Sequence, residues 1–237
     1  MSSHDRRSPK GREVQRTFDK VIDHYDRMNR LMTVGRHAAW CRDVAASAGV
    51  PPGGSLLDIA TGTGVIALAA LERYPDSAVF AVDFSERMLA EAANKPGASA
   101  ITWQHADAND LPFDDESFDA VTHGYLLRNV DDVERVLEEQ HRVLKPAGRV
   151  VILETCRPRG LLRYPVSLGV RVVIPLLGQM VARDRESYAY LQRSTLGFMT
   201  PQEVVAILRR VGFVSIAWKK RFFGTHMIIS ARKRWPS

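Results

Sequence analysis

The chain has 237 residues, 45% of them apolar, which suits one domain with a substantial core and argues against wholesale disorder. Its formal charge of +6 is spread over both ends and the middle, with no basic stripe interleaved with aromatics and no nucleic-acid motif, so nucleic acid is not an expected partner. Cys41 and Cys156 lie far apart without metal-ligand spacing, and they read as two reduced thiols, with no metal expected.

Residues 1–13 are polar, lack the apolar core of a secretory signal, and read as a disordered leader. From Val14 to Met32, apolar residues recur at gaps of three and four, which predicts one amphipathic helix. After a turn at Thr33–Gly35, a second helix carries Trp40 and Val44 up to Gly49, and Pro51, Pro52, Gly53 and Gly54 punctuate the chain. Strands are then expected at Ser55–Ala60, Ala78–Phe84, Ala100–His105, Phe118–Tyr125 and Gly148–Thr155. Helices alternate with them: Gly64–Arg73, one capped by Ser85, and one running from Asp131 or Asp132 to Leu144.

Residues 157–199 look helical and irregular, a candidate lid over a substrate. Their longest apolar stretch, Val166–Ala182, is interrupted by Arg171 and Pro175 and falls short of the ~20 residues a spanning helix needs. Contact with the inner face of a membrane stays open for a chain expected in the cytoplasm. Thr200 then serves as N-cap, Pro201 as first helical residue and Gly212 as the stop, before a hairpin of Phe213–Lys219 and His226–Ala231. Seven strands alternating with helices predict an α/β fold with a mostly parallel sheet covered on both faces. The chain divides into N-terminal helices (14–50), a cofactor core (51–156), the lid (157–199) and a C-terminal helix and hairpin (200–237).

The central signal is Asp58-Ile59-Ala60-Thr61-Gly62-Thr63-Gly64, where a strand hands over to a helix. Glycines allow a tight turn there, and free amides at the helix start face the ligand. Read as Gly62-x-Gly64-x-x-Ala67, with Asp83 downstream, it also passes the dinucleotide fingerprint. Three neighbours favour S-adenosylmethionine instead. Asp58 can hold a cationic amino group and would sit badly beside a pyrophosphate, Asp83 can accept both ribose hydroxyls, and the turn from Asp107 to Phe113 offers acid and amide groups to an adenine edge. Candidate cofactor residues are Asp58, Ala60, Gly62, Thr63, Gly64, Asp83, Phe84, Asp107, Ala108 and His123.

Glu138 with Arg142-Val143-Leu144-Lys145-Pro146-Ala147-Gly148 resembles the helix and turn before the fifth strand of class I methyltransferases, a layout covering about residues 50–155. A tighter resemblance spans most of the chain. Phe18, Val21-Ile22, Tyr25-Asp26, Asn29, Met32-Thr33, Gly35, His37 and Trp40 are similar in kind and spacing to the N-terminal signature of the UbiE-type menaquinone/ubiquinone C-methyltransferases. Leu127-Arg128-Asn129-Val130 resembles their motif after strand four, and Ile174-Pro175, Gly178, Ser187-Tyr188 and Tyr190-Leu191 resemble the stretch over their active site. The sequence departs from that pattern at Val65, where an acid is usual. Gly124-Tyr125-Leu126 stand in place of Ser-Phe-Gly, and the tail at Gly224-Thr225-His226-Met227 also differs.

The resemblance implies a Rossmann-like class I fold, S-adenosylmethionine as donor, and a prenylated quinol as acceptor, most simply demethylmenaquinol. Arg128 is then expected to stabilise a phenolate, with Asp107 and Tyr25 as a proton-accepting path and His37 as a reserve base. For His37 a capping or core role weighs equally, and for Arg128 the competing role is a buried structural ion pair. The Arg-rich segment 157–185 could take the prenyl tail beside lipid headgroups, and a homodimer is left open. Three other readings remain: the same fold acting on a soluble aromatic or polyketide-like compound, a nicotinamide reductase (which Asp58 and the lack of a Tyr-x-x-x-Lys pair argue against), and a binding protein that has lost catalysis.

Overall fold

A computed structural model describes residues 9–157 and 197–235, with Tyr164, Leu168, Gly169, Val172, Tyr190 and residues 193–195 between them. The expected motifs at Ile174–Gly178 and Ser187–Tyr188 lie outside the described residues. The helices are α1 (Pro9–Val21), α2 (Tyr25–Met32), α3 (His37–Ala48), α4 (Val65–Arg73), α5 (Glu86–Ala93), α6 (Val133–Val143) and α7 (Pro201–Val211). The strands are β1 (Ser55–Ile59), β2 (Ala78–Asp83), β3 (Ile101–His105), β4 (Phe118–Gly124), β5 (Leu144–Thr155), β6 (Phe213–Arg221) and β7 (His226–Lys233). They form one sheet in the order β3-β2-β1-β4-β5-β7-β6, parallel through β5, with β7 inserted antiparallel between β5 and β6.

Successive strand residues face opposite sides, so each strand feeds two cores. On one face Leu57, Ile59, Val121 and Ile152 meet Val136 and Leu137 of α6 and Val204 and Leu208 of α7. On the other, Leu56, Ala120, Val151 and Leu153 meet Trp40 and Val44 of α3 and Ile66 and Ala67 of α4. Helix ends follow their caps. The Ser85 side chain accepts from the Met88 amide, Asp132 accepts from Arg135, and Thr200 forms a reciprocal capping box with Glu203.

Two expectations change. The single helix expected over Val14–Met32 begins at Pro9 and is cut by a 3-10 turn at Ile22–His24. Val14, Ile22 and Met28 are all buried, so the apolar periodicity runs straight through a change in hydrogen bonding that it does not sense. The fifth strand begins at Leu144, which pairs with Phe118, and the register then shifts so that Ala120 faces Arg149. Lys145–Gly148 form the irregularity; a Cβ on Gly148 would lie 2.7 Å from the Lys145 carbonyl oxygen. Arg142 ties this region together by bonding Glu139, Asp115 and the carbonyls of Leu111 and Phe113.

Candidate active site

In an open parallel sheet, ligands bind at the carboxyl ends of the strands where the strand order reverses, here between β1 and β4. A cleft lies there in two lobes. The outer lobe, about 340 Å³, is lined by Ala60, Phe84, Ala106, Asp107, Ala108 and Asn109, with Gly11 and Val14 of α1 closing over it. The inner lobe, about 50 Å³, is lined by Phe18, Tyr25, Gly62, Asp83, Tyr125 and Asn129. Both share Val14, Ala60, Phe84, Leu126 and Asn129, so the lobes adjoin.

The loop after β1 turns through positive φ at Ala60 (51°), Gly62 (56°) and Gly64 (77°). Gly64 must be glycine for a second reason, because a Cβ there would lie 2.7 Å from the Trp103 ring. The Gly62 amide donates to Asp83 Oδ2 at 2.8 Å and the Ser85 amide to Oδ1 at 2.9 Å. A carboxylate has about four lone-pair sites, so Asp83 can still accept from a ligand, and it lines the inner lobe. Burial pushes its carboxyl up to about 6, against the opposing pull of those amides.

Asp58 behaves differently from the expectation. It is fully buried, and both oxygens accept from hydroxyls: Oδ2 from Thr61 at 2.6 Å and Oδ1 from Thr122 at 2.7 Å. Its burial raises the carboxyl to about 7, while the two hydroxyl bonds work the other way. Asp58 therefore braces the loop from behind and lines neither lobe. Thr63 is likewise turned away, donating to Asp26 Oδ1 at 2.6 Å, while Lys95 holds Asp26 Oδ2 at 2.6 Å. That bond staples α2 onto the glycine loop.

His123 also departs from its expected role. It sits mid-sheet on β4 between Ile59 and Ile152, with no exposure, and lines neither lobe. Neither ring nitrogen has a partner among the described residues, and burial holds its pKa down at about 3. It is a neutral core histidine. Of the ten candidate cofactor residues, Ala60, Gly62, Asp83, Phe84, Asp107 and Ala108 line the cleft.

The four candidate catalytic residues are spread out. Tyr25 lines the inner lobe; burial raises its phenol above the ordinary value, so it is protonated at neutral pH. Asp107 is exposed in the outer lobe and accepts from its own turn, from the Asn109 amide at 2.9 Å and side chain at 2.8 Å. The expected path from Tyr25 to Asp107 is therefore not a direct contact. His37 opens α3, stacked on Tyr125 at 5.8 Å with Cys41 Sγ 3.6 Å from its Nε2, and burial lowers its pKa. It stands behind the inner lobe, away from its lining.

Arg128 lies in the 3-10 turn after β4, 9% exposed, with Nη1 3.7 Å from Glu154 Oε1 and 3.4 Å from Thr155 Oγ1. Glu154 also takes the Arg128 amide at 3.3 Å, and its own burial pushes its carboxyl up against the pull of the arginine. Arg128 is thus a member of a buried ion pair, and its charge also reaches Tyr25.

Sequence reasoning assigned no role to Glu154, Asn29, Asn129 or Tyr125. Asn129 donates to the Tyr125 carbonyl at 2.7 Å and accepts from the Tyr190 hydroxyl at 2.8 Å. It stood inside the Leu-Arg-Asn-Val motif, the one signal that could have found it. Among the described residues, Asn29 Nδ2, Tyr125 OH and Arg128 Nε are buried without partners. Unsatisfied donors are costly in a core; of these three Tyr125 lines the inner lobe, and Arg128 stands against its ring.

The residues therefore fit S-adenosylmethionine: a glycine cradle, a buried acid with free lone pairs, and a polar-edged lobe with no basic side chain among its lining. Comparisons with known proteins agree. A family profile described as "ubiE/COQ5 methyltransferase family" matches residues 5–233. The "Ubiquinone/menaquinone biosynthesis C-methyltransferase UbiE" of Desulfotalea psychrophila is 48% identical over 91% of this chain and 88% of its own. The "Demethylmenaquinone methyltransferase" of Geobacillus kaustophilus is 38% identical over 95% and 98%. Among solved structures, the [4+2]-cyclase SpnF shares the fold at a TM-score of 0.71, covering 97% of this chain and 98% of that one at 18% identity. Phosphoethanolamine N-methyltransferase 2 of Haemonchus contortus, solved with S-adenosyl-L-methionine, gives 0.70 at 18% identity, covering 97% of this chain and 61% of that one. The chain belongs to the ubiE/COQ5 methyltransferase family, with S-adenosylmethionine as its cofactor.

Proposed function

We propose that this enzyme methylates a ring carbon of a prenylated quinol, converting demethylmenaquinol to menaquinol. The observation that carries the reading is the match, along nearly the whole chain, to relatives named for that chemistry. The inner lobe, walled by aromatics and edged by a tyrosine and an asparagine, supports it.

Asp83 and the Gly62 turn would hold the ribose side of S-adenosylmethionine, and Asp107, Ala108 and Phe84 would receive its base. The bound cofactor supplies an electrophilic methyl group. The protein's contribution is to align the acceptor, exclude water and raise electron density on the acceptor ring. A quinol carbon becomes a good nucleophile when the adjacent hydroxyl loses its proton. Arg128, set behind Tyr125, directs positive charge toward the developing phenolate. Tyr25 accepts the acceptor's proton as it passes its own outward, through water, toward Asp107 in the adjoining lobe. Val14 and Phe18 of α1 roof the cleft.

Tyr164, Leu168 and Val172 lie four residues apart on helical backbone, 77%, 63% and 56% exposed. Among the described residues no helix is long and apolar enough to cross a membrane. The stripe supports peripheral contact with the membrane that holds the prenyl tail. Liposomes with anionic lipid should retain the protein and added salt should release it, whereas binding indifferent to both would favour a soluble acceptor. For the activity itself, the expected product of reduced demethylmenaquinol is the C-methylated quinol, identified by mass and fragmentation.

A further inference from the structure

Arg128 is the charge expected at the phenolate, yet it lines neither lobe of the cleft. Between it and the inner lobe stands Tyr125, with the guanidinium carbon 4.7 Å over the ring centroid. Tyr125 directly follows β4 with φ at 59°, a region costly for a bulky side chain, so surrounding contacts must hold it there. Two bonds of 2.7 Å do so: its amide donates to the Leu153 carbonyl and its carbonyl accepts from Asn129. The ring is fixed by carbon contacts, stacked on His37 at 5.8 Å and edge-on to His226 at 5.9 Å.

None of these contacts uses the hydroxyl. Tyr125 is 7% exposed, and among the described residues its oxygen has no hydrogen-bond partner. A buried phenol left unbonded costs free energy that a phenylalanine in the same place would not. Arg128 Nε, against the same ring, is also buried and without a partner among the described residues.

We propose that Tyr125 is a further catalytic residue, whose hydroxyl donates a hydrogen bond to the acceptor oxygen as that oxygen gains negative charge. The proposal rests on the quinol reading for the acceptor's identity; it requires only that the acceptor carry an ionisable oxygen on an aromatic ring. Tyr125 keeps its proton throughout, while the acceptor's proton leaves by way of Tyr25. Burial raises the Tyr125 phenol well above its ordinary value, which keeps it a donor across the working pH range, and Arg128 against the ring face opposes that rise. Arg128 then acts across the ring, polarising the donor that touches the substrate.

The test is Tyr125→Phe, which preserves every ring contact. Turnover on reduced demethylmenaquinol should fall on the order of 10²-fold, as when one donor to a developing oxyanion is removed. KM and cofactor affinity should stay within about twofold, since the bond strengthens only as charge develops. The melting temperature should stay level or rise, because an unsatisfied hydroxyl has been deleted. The second readout needs no turnover: the ionisation of bound 1-naphthol, followed by its ultraviolet absorbance. In the wild type the bound naphthol should ionise at lower pH than in Tyr125→Phe, by about one to two pH units. A naphthol that titrates identically in both proteins overturns the proposal, whatever happens to turnover. Wild-type turnover in Tyr125→Phe overturns it too. If the wild type fails on the quinol while the naphthol shift persists, the acceptor reading falls and the role of Tyr125 stands.

Discussion

The two sides of the cleft are finished differently. On the cofactor side the buried acids have partners within the protein: Asp58 has two hydroxyls, and Asp83 has two backbone amides. On the acceptor side Asn29, Tyr125 and Arg128 each retain a buried atom with no partner among the described residues. The first surface meets its acids with groups of its own, while the second presents donors that, among the described residues, have none. Preorganised donors of this kind stabilise charge that appears during a reaction, because they need not reorganise when it develops.

The comparison is broken most severely at Arg128. Arg128→Ala should cost about 10²–10³ in turnover, as expected for one preorganised contact. It should also cost stability, because Glu154 is left fully buried and unpaired, a loss of about 3–5 kcal/mol. Arg128→Lys keeps the charge but loses the planar fork and should recover part of the rate. A folded Arg128→Ala enzyme with normal turnover would remove the residue from the mechanism. Removing Glu154 as well separates the two losses: Arg128→Ala with Glu154→Gln should regain stability and not rate.

A milder break lies on the cofactor side. Asp83→Asn should weaken S-adenosylmethionine binding by about 1.5–3 kcal/mol through loss of a charge-assisted bond, measured by titration calorimetry. Because the carboxyl titrates near 6, wild-type affinity should decline as the pH falls through 6, and the variant should lose that dependence. Equal affinity in both proteins would take Asp83 out of the site.

Asp58 sharpens the contrast through stability, with no effect expected on binding. Its folded pKa of about 7 lies above the ordinary carboxylate value near 4, so between those values the folded state holds a proton that the unfolded state has released. Stability must therefore fall as pH rises through that window and level off above 7, with a slope of up to about 1.4 kcal/mol per unit. Asp83 tilts the curve the same way up to about 6. Asp58→Asn should flatten the decline in denaturant titrations between pH 5 and 8, and an unchanged slope would contradict the assignment.

Much of the fold was legible because its signals are local. Ser85, Asp132, Thr200 and Gly212 mark helix ends through contacts within a few residues, and the alternation of strands and helices implies the parallel sheet. The break at Ile22–His24 was not legible, because burial on one face continues through it. In the site, the glycine loop and Asp83 could be found from a strand end and a turn. A motif gives a residue's position and not its direction, which is why Asp58 and Thr63 seemed to face a ligand, whereas Asp58 faces two hydroxyls of the protein and Thr63 the Asp26 carboxylate. The acceptor side was the least legible. Arg128 meets Glu154 from 26 residues away, and Tyr125 acquires its setting from α3, β7 and the turn after β4 together. His123 at the end of a motif strand looked like a ligand contact, but the pleat points it into the core.

The central claim is that the incomplete side of the cleft takes a quinol and directs a methyl group to its ring carbon. The direct measurement is mass spectrometry of the product formed from S-adenosylmethionine carrying a labelled methyl group and short-chain demethylmenaquinol, under reducing conditions. The account predicts label on the ring carbon beside the hydroxyl with the reduced acceptor, and none with the oxidised quinone. Label on oxygen, or equal labelling of the oxidised quinone, would contradict it.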